Sequence, residues 1–415
     1  MNVRRLPFCS ILIVSLVSAT TARAGVFRAN RLFVGAGNLG QVELFDSGAC
    51  VGTSLSGDLD YPWFMAFGPD GCLYVSELSD NEVSKIDATG TVVQSFGSSF
   101  LTAPAGLAFG PNGRLYVLSG TDAKVVIFDT AGTRTGEFSV AADMTDPTGI
   151  VIGPDGHLLI TDWVDNVIDE YDPSGSHLRA FGTGLGFPAG LALGPAGRIY
   201  VVNQFTQTVV VLDSLGAKVD EINLNSPGSA PLDCQFGPDG NLWVSCQGTN
   251  ELMAFDLAGN LVDGIPAATG LDHPTGLAFA PFHFKAKVSG QLALEGEKPR
   301  KVSENVQLYL APGSRRLMME IDNLPAPSLS QFNFQYCVLS GFEGFQSNTG
   351  TKRVYSGRQQ YLSGFETGGA SLGLEVKGKI SGCGFFAPRS AKGSFQRDSY
   401  LGAFNGKIVT SKLFK

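Results

Sequence analysis

The 415-residue sequence is poor in histidine, with four, and only 16% of its residues are charged. So few histidines leave little material for metal centres built on several imidazoles. No C-x-x-C pair occurs and no histidine clusters with a cysteine, which removes the usual zinc spacings. No P-loop is present. A basic stripe interleaved with aromatics, the footprint of nucleic-acid binding, is missing as well. After the first residues no apolar run approaches the roughly 20 residues that span a bilayer as a helix, so no transmembrane segment is expected. What is abundant is glycine, at 53, in a chain 43% hydrophobic. That is the composition of a turn-rich globular protein, not of a disordered one.

The N-terminus predicts export. Arg4 and Arg5 form a basic stretch, Leu6 to Val17 an apolar one, and Ala22-Arg23-Ala24 a small-x-small cleavage pattern. Residues 1–24 are therefore read as a signal peptide, and the mature chain as secreted, periplasmic or extracellular. Charge then divides the remainder. Residues 25–284 carry 9 Lys+Arg against 29 Asp+Glu, a net −20, whereas residues 285–415 carry 18 against 9, a net +9. The contrast predicts a domain boundary near Phe284. It also allows the basic C-terminal part to associate with an anionic envelope surface. Six cysteines follow Ala24. Cys337 with Cys383 and Cys234 with Cys246 are the expected disulfide pairs, and Cys50 with Cys72 follows by elimination.

A repeat organises residues 25–284. Gly68-Pro69-Asp70-Gly71 recurs at Gly110, Gly153, Gly194 and Gly237 and decays to Ala280-Pro281, at steps of 42, 43, 41, 43 and 43 residues. Proline presets the first turn position and glycine supplies positive φ. Apolar strands such as Leu107-Ala108-Phe109 precede the turn, and strands such as Leu115-Tyr116-Val117 follow it. A third strand ends in an acid before another turn, as in Val125 to Asp129, and a fourth closes the unit. Four short strands per repeat describe a propeller blade. Leu32-Phe33-Val34 lacks a first strand before it, and Pro274–Phe279 lacks the strands that should follow. One blade is therefore expected to be shared between the two ends, giving six blades and no open edge. The motif Pro-x-Gly-Leu-Ala-Phe-Gly-Pro-x-Gly-x-Leu-Tyr-Val resembles the NHL-repeat propellers and the related streptogramin lyase-like and gluconolactonase-like ones. Residues 285–415 alternate with period two, which predicts an all-β second domain, a small sandwich or barrel.

In such a ring the loops after the second strands crowd one mouth of the central channel. Their first residues are Ala36, Glu77, Ser119, Asp162, Asn203 and Cys246. NHL-like repeats carry Asp there with Asn four residues on, as Asp162 with Asn166 do here. Such side chains commonly bond nearby backbone amides. The resemblance to gluconolactonase-like propellers implies a second use, a channel site for Ca2+ or Mg2+ held by Glu77, Asp162 and Asn203. Asp233 joins that set, since it stands where four blades have glycine on an innermost strand. His273 is the one histidine placed to face the mouth and to serve as a base; His157 and His177 fall on the outer side. Streptogramin lyase-like chemistry, which needs histidines near its metal, is disfavoured. Gly369-Ala370-Ser371-Leu372-Gly373 matches an esterase elbow, but lacks the helix and the downstream histidine that elbow requires.

Two functional classes follow. In the first, the chain is a non-catalytic binding protein that holds a protein, glycan or small molecule at the mouth and loops, with Trp163, Phe205 and Tyr61 as aromatic contacts. In the second, it is a metal-dependent lactonase or related hydrolase working in the channel.

Overall fold

The turn at Gly68–Gly71 shows how the repeat makes a hairpin. Gly71 adopts φ 77° and donates its N–H to Gly68 O, while Gly68 N–H donates to Cys72 O at 2.8 Å. Asp70 stiffens the turn by accepting from Cys72 N–H and the Tyr74 hydroxyl, and it pairs with Lys85 at 2.7 Å. The outer turn is equally regular. Asp87, Asp129, Asp172, Asp213 and Asp256 each accept backbone N–H groups two and four residues on. Short local bonds of this kind satisfy turn backbone without help from the core.

A computed structural model describes residues 31–280, apart from 47–48, 56–58, 266–270 and a few turn positions, and beyond them the backbone of eight strands. The molecule is all-β, a six-bladed propeller, with no α-helix among the described residues. Blade I comprises Pro62–Phe67, Leu73–Glu77, Glu82–Ile86 and Val92–Phe96; blade II, Pro104–Phe109, Leu115–Ser119, Lys124–Phe128 and Arg134–Ser139. Blade III comprises Pro147–Ile152, Leu158–Asp162, Val167–Tyr171 and His177–Phe181. Blade IV comprises Pro188–Leu193, Ile199–Asn203, Thr208–Leu212 and Lys218–Asn223; blade V, Pro231–Phe236, Leu242–Cys246, Glu251–Phe255 and Leu261–Ile265. The remaining four-stranded sheet, blade VI, orders Pro274–Phe279 beside Leu32–Ala36, Gln41–Asp46 and Ala49–Leu55, with Leu32 opposite Phe279 and Val34 opposite Leu277.

Each first strand packs on the first strand of the next blade, and Pro274–Phe279 packs on those of both blade V and blade I. These inner strands come very close. A Cβ on Gly149 would lie 2.4 Å from Ala189 O, and one on Gly106 would lie 2.8 Å from Ile150 N. Backbone cannot yield there, which explains glycine at this position in four blades. The first strands also bulge, with register shifts after the proline, and a hydroxyl from the second strand spans the bulge. Ser76 bridges Phe64 N and O, Ser245 bridges Asp233 N and O, and Thr161 accepts from Gly149 N–H while donating to Ala189 O of the next blade. Phe64 uses the glycine position differently. It belongs to one apolar cluster with Ala189 and Leu232 of blades IV and V, so its ring reaches across the axis.

Two expected disulfides are corrected. Cys72, Cys234 and Cys246 are free thiols. On their hairpin Cys234 stands opposite Val244 and Cys246 opposite Pro231, an offset that keeps the two sulfurs apart. Cys72 sits in the inner turn beside Asp70, so Cys50–Cys72 does not form either. Cys337 and Cys383 lie outside the residues whose side chains are described, as does the whole of residues 1–24.

Beyond Pro281, strands Phe282–Leu294, Arg300–Ala311, Arg316–Ile321, Cys337–Ser340, Lys352–Ser363, Glu366–Ile380, Phe386–Ser399 and Gly402–Leu413 form one antiparallel sheet. Its first strand pairs with its last, Val288 opposite Ile408. That first strand starts before the boundary expected at Phe284. No helix among the described residues is long and apolar enough to cross a membrane.

Candidate functional site on the loop face

The loops after the second strands are built from one pattern. In all six blades the N–H of the first or second loop residue donates to the residue just before the first-strand proline: Leu78 to Tyr61 O, Gly120 to Ala103 O, Trp163 to Asp146 O, Gln204 to Phe187 O, Gln247 to Ala230 O and Gly37 to His273 O. Five of those pre-proline residues, Tyr61, Ala103, Phe187, Ala230 and His273, adopt φ between 41° and 55°. In three of them an asparagine of the preceding blade holds that strained conformation. Asn81 Oδ1 accepts from Ala103 N–H, Asn166 Oδ1 from Phe187 N–H and Asn250 Oδ1 from His273 N–H, each at 2.7–2.8 Å. Gln207 does the same for Gly228 N–H and Ser229 N–H.

The residues read as metal ligands fit the same pattern. Glu77, Ser119, Asp162 and Asn203 each accept an N–H from the residue 17 positions upstream: Asp60, Thr102, Thr145 and Gly186. Asp162, fully buried, accepts four amides in all, from Thr145 and Asp146 through Oδ2 and from Val164 and Asp165 through Oδ1. Its charge and their burial push the Asp146 carboxyl upward, burial first. Asn203 is spent on Gly186 N–H and Gly184 O. Among the described residues, the carboxylate group around Glu77 draws on neither Asp162 nor Asp233.

Asp233 is 3% exposed. Its Oδ2 accepts from Leu277 N–H of the next inner strand at 2.9 Å, and its Oδ1 from Cys234 N–H at 2.8 Å. Burial, only partly offset by those two amides, pushes its carboxyl up to about 7.

His273 does face the loop side. Its Nδ1 lies 3.1 Å from the Tyr61 hydroxyl, in a group with Trp63, whose ring centroid is 5.8 Å from that of Tyr61. Burial raises the Tyr61 phenol above its ordinary value. His157 and His177 pair with Glu170 and Asp169 at 2.8 and 2.7 Å on the outer strands, as their repeat positions imply.

The aromatic contacts divide into two sets. Tyr61 belongs with Trp63 and His273 at the junction of blades VI and I. Trp163 and Phe205, from blades III and IV, are joined by Phe187. Trp163 stacks on Phe187 at 4.5 Å and 24°, and Phe187 meets Phe205 edge-on at 5.8 Å. Phe205 is 71% exposed and Phe187 37%. Trp163 Nε1–H donates to Gln204 Oε1, which fixes its ring. Sequence reasoning missed Phe187. The available signal was its place before Pro188, the position that Tyr61 and His273 hold before their own prolines.

No family model matches the chain, and no curated protein does. Among solved structures it is similar to that of the nidogen/laminin complex, at 20% identity over 60% of this chain and 98% of that one, TM-score 0.52. It is also similar to virginiamycin B lyase from Staphylococcus aureus, at 13% identity over 84% and 94%, TM-score 0.44. A streptogramin B lyase structure matches at 13% over 92% and 100%, TM-score 0.45. The likeness to the nidogen/laminin structure is one of fold, and a propeller fold hosts many activities.

Proposed function

We propose that the chain is an exported, non-catalytic binding propeller whose contact surface is the Trp163–Phe187–Phe205 ladder. The observation that carries this reading is a continuous run of three aromatic rings, Phe187 and Phe205 exposed and Trp163 half-buried, on a scaffold that preorganises it. Exposed aromatics in contact are costly to keep in water and are characteristic of contact surfaces. Phe187 is held at φ 53° by Asn166 and by Gln204, and Trp163 is tied to Gln204, so little side-chain freedom is left to lose on binding. Exposed aromatic rings of this kind suit the apolar face of a sugar ring or of a peptide. Export rests on the Arg4–Ala24 signal pattern, and a mature chain starting at Gly25 is its consequence. The Leu32–Phe279 register supports reading blade VI as the closure of the ring, and the pairing of Phe282–Leu294 with Gly402–Leu413 supports a barrel-like C-terminal domain.

The channel-lactonase reading gains no support from the loop geometry, because Asp162 and Asn203 spend their oxygens on backbone amides of the adjoining loops. The test screens the mature chain, wild type beside Phe205→Ala and Trp163→Ala, against glycan and peptide arrays. A hit that both variants weaken about tenfold supports the ladder, since truncating a central aromatic anchor typically costs more than about 1 kcal/mol. Hits untouched by both substitutions sink it.

A further inference from the structure

The hairpin between the second and third strands of blade I departs from its sisters in one respect. Glu77 ends Leu73–Glu77 and stands directly opposite Glu82, which begins Glu82–Ile86. Asp80 lies in the loop between them. One carboxylate oxygen from each of the three lies within 4.8 Å of the others. Like charges directly opposite on a hairpin repel. Among the described residues no lysine, arginine or histidine pairs with any of them.

Glu77 adds an observation of its own. It is 1% exposed, and its Oε2 accepts from Asp60 N–H at 2.7 Å. Its Oε1 is buried with no hydrogen bond. The Ser84 hydroxyl lies near Glu77 and also shares a hydrogen bond with Ser95 Oγ at 2.8 Å, in which either oxygen can donate. A buried carboxylate oxygen without a partner beside two further carboxylates is a costly arrangement for a protein to keep with nothing bound.

The sister hairpins have relieved the same positions. Blade II has Ser119, Asp122 and Lys124, and the lysine lies 3.3 Å from Asp122. In blade III, Asp162 is saturated by amides, Asp165 accepts from the Thr145 hydroxyl, and the last position is Val167. Blade IV has Asn203, Thr206 and Thr208, and in blade V Glu251 is bonded by the Thr249 and Ser226 hydroxyls. Only blade I, among these five, has an acid at all three places.

We propose that Glu77, Asp80 and Glu82 form a binding site for a hard divalent cation, calcium by preference. Three carboxylates on one hairpin supply anionic oxygen donors, and calcium accepts irregular oxygen geometry that magnesium does not. Glu77 would gain the partner its Oε1 lacks, while exposed Asp80 and half-buried Glu82 close the ion from the solvent side. The site is separate from the aromatic ladder of blades III and IV and stands or falls independently of it.

The test is calcium titration of the purified full-length mature chain, stripped with chelator, by calorimetry and by thermal unfolding. The variant is Asp80→Asn with Glu82→Gln, which leaves buried Glu77 and its bond to Asp60 in place. Expected is one site with a Kd on the order of 10⁻⁴ M, the range of extracellular calcium modules, weaker for magnesium. The double variant should bind at least about tenfold more weakly and lose the calcium-dependent rise in Tm. Absence of binding heat and of any Tm rise in the wild type at millimolar calcium overturns the proposal. So does an undiminished response in the double variant, provided its Tm without calcium matches or exceeds that of the wild type. A variant that unfolds is replaced by Asp80→Asn alone, read by the same two criteria.

Discussion

Asp233 makes the ring's stability depend on pH in a direction opposite to that of a salt-bridged carboxylate. It is buried between the inner strands of blades V and VI, and no cation pairs with it among the described residues. Two amides, Cys234 N–H and Leu277 N–H, are its compensation. Its carboxyl is raised to about 7, against roughly 3.9 for an unfolded aspartate. The folded state therefore holds a proton that the unfolded state has released. Stability falls as pH rises through the window from about 4 to about 7, and is fully present below it. Three units at about 1.4 kcal/mol each set an upper scale of about 4 kcal/mol. The assay is urea unfolding across that window for the wild type and Asp233→Asn. All three tryptophans, Trp63, Trp163 and Trp243, lie in the propeller, so their fluorescence reports this domain alone. Glu77 and Asp169, also raised by burial, and Asp172, lowered to about 2 by Ser174 and Ser176, titrate in both proteins and cancel in the difference. At low pH the wild type should be the more stable, because the variant turns an amide NH2 toward one of the two N–H donors. That advantage should shrink by several kcal/mol by pH 8. A gap constant to within about 1 kcal/mol across the window refutes the assignment.

Asp162→Ala would strand four amides. At about 1–3 kcal/mol for each that water does not reach, a loss of about 3–5 kcal/mol is expected in the same unfolding assay, with faster hydrogen exchange at Thr145, Asp146, Val164 and Asp165. A loss below about 1 kcal/mol would contradict the structural role. Thr161→Val removes the hydroxyl that joins Gly149 N–H to Ala189 O across two blades, and should cost about 1–3 kcal/mol; an unchanged urea midpoint would show that the bridge is dispensable. Gly149→Ala places a methyl 2.4 Å from Ala189 O, and should destabilise by about 2–4 kcal/mol or leave the chain unfolded by circular dichroism. A fully stable Gly149→Ala would mean the inner strands are less tightly packed than described.

The blades were legible because their signals are local. Proline, aspartate and glycine act through their own φ angles and their own amides, so Gly68–Gly71 and Asp87 declare their turns without knowledge of the partner blades. The outer placement of His157 and His177 followed from repeat position in the same way. Convergence was harder to read. Glu77, Asp162 and Asn203 share a repeat position, and in these blades that position accepts a backbone N–H from the segment before the blade's first strand. Asp233, read as a carboxylate for the channel, turns to Leu277 N–H, because the bulge aims it at the next strand.

From the sequence alone, the repeat of about 42 residues determined the blades, their number and the turns between strands, since each depends on neighbours a few residues away. Tertiary structure alone decided which side chains meet. Phe187 joins Trp163 to Phe205 because a strained pre-proline residue is held by an asparagine from the previous blade. The cysteines at 234 and 246 stay apart because a bulge sets their register. Glu77 finds Asp80 and Glu82 because a hairpin folds one strand end onto the other. Contacts of this kind depend on register and blade packing, and neither is carried by the residue types themselves.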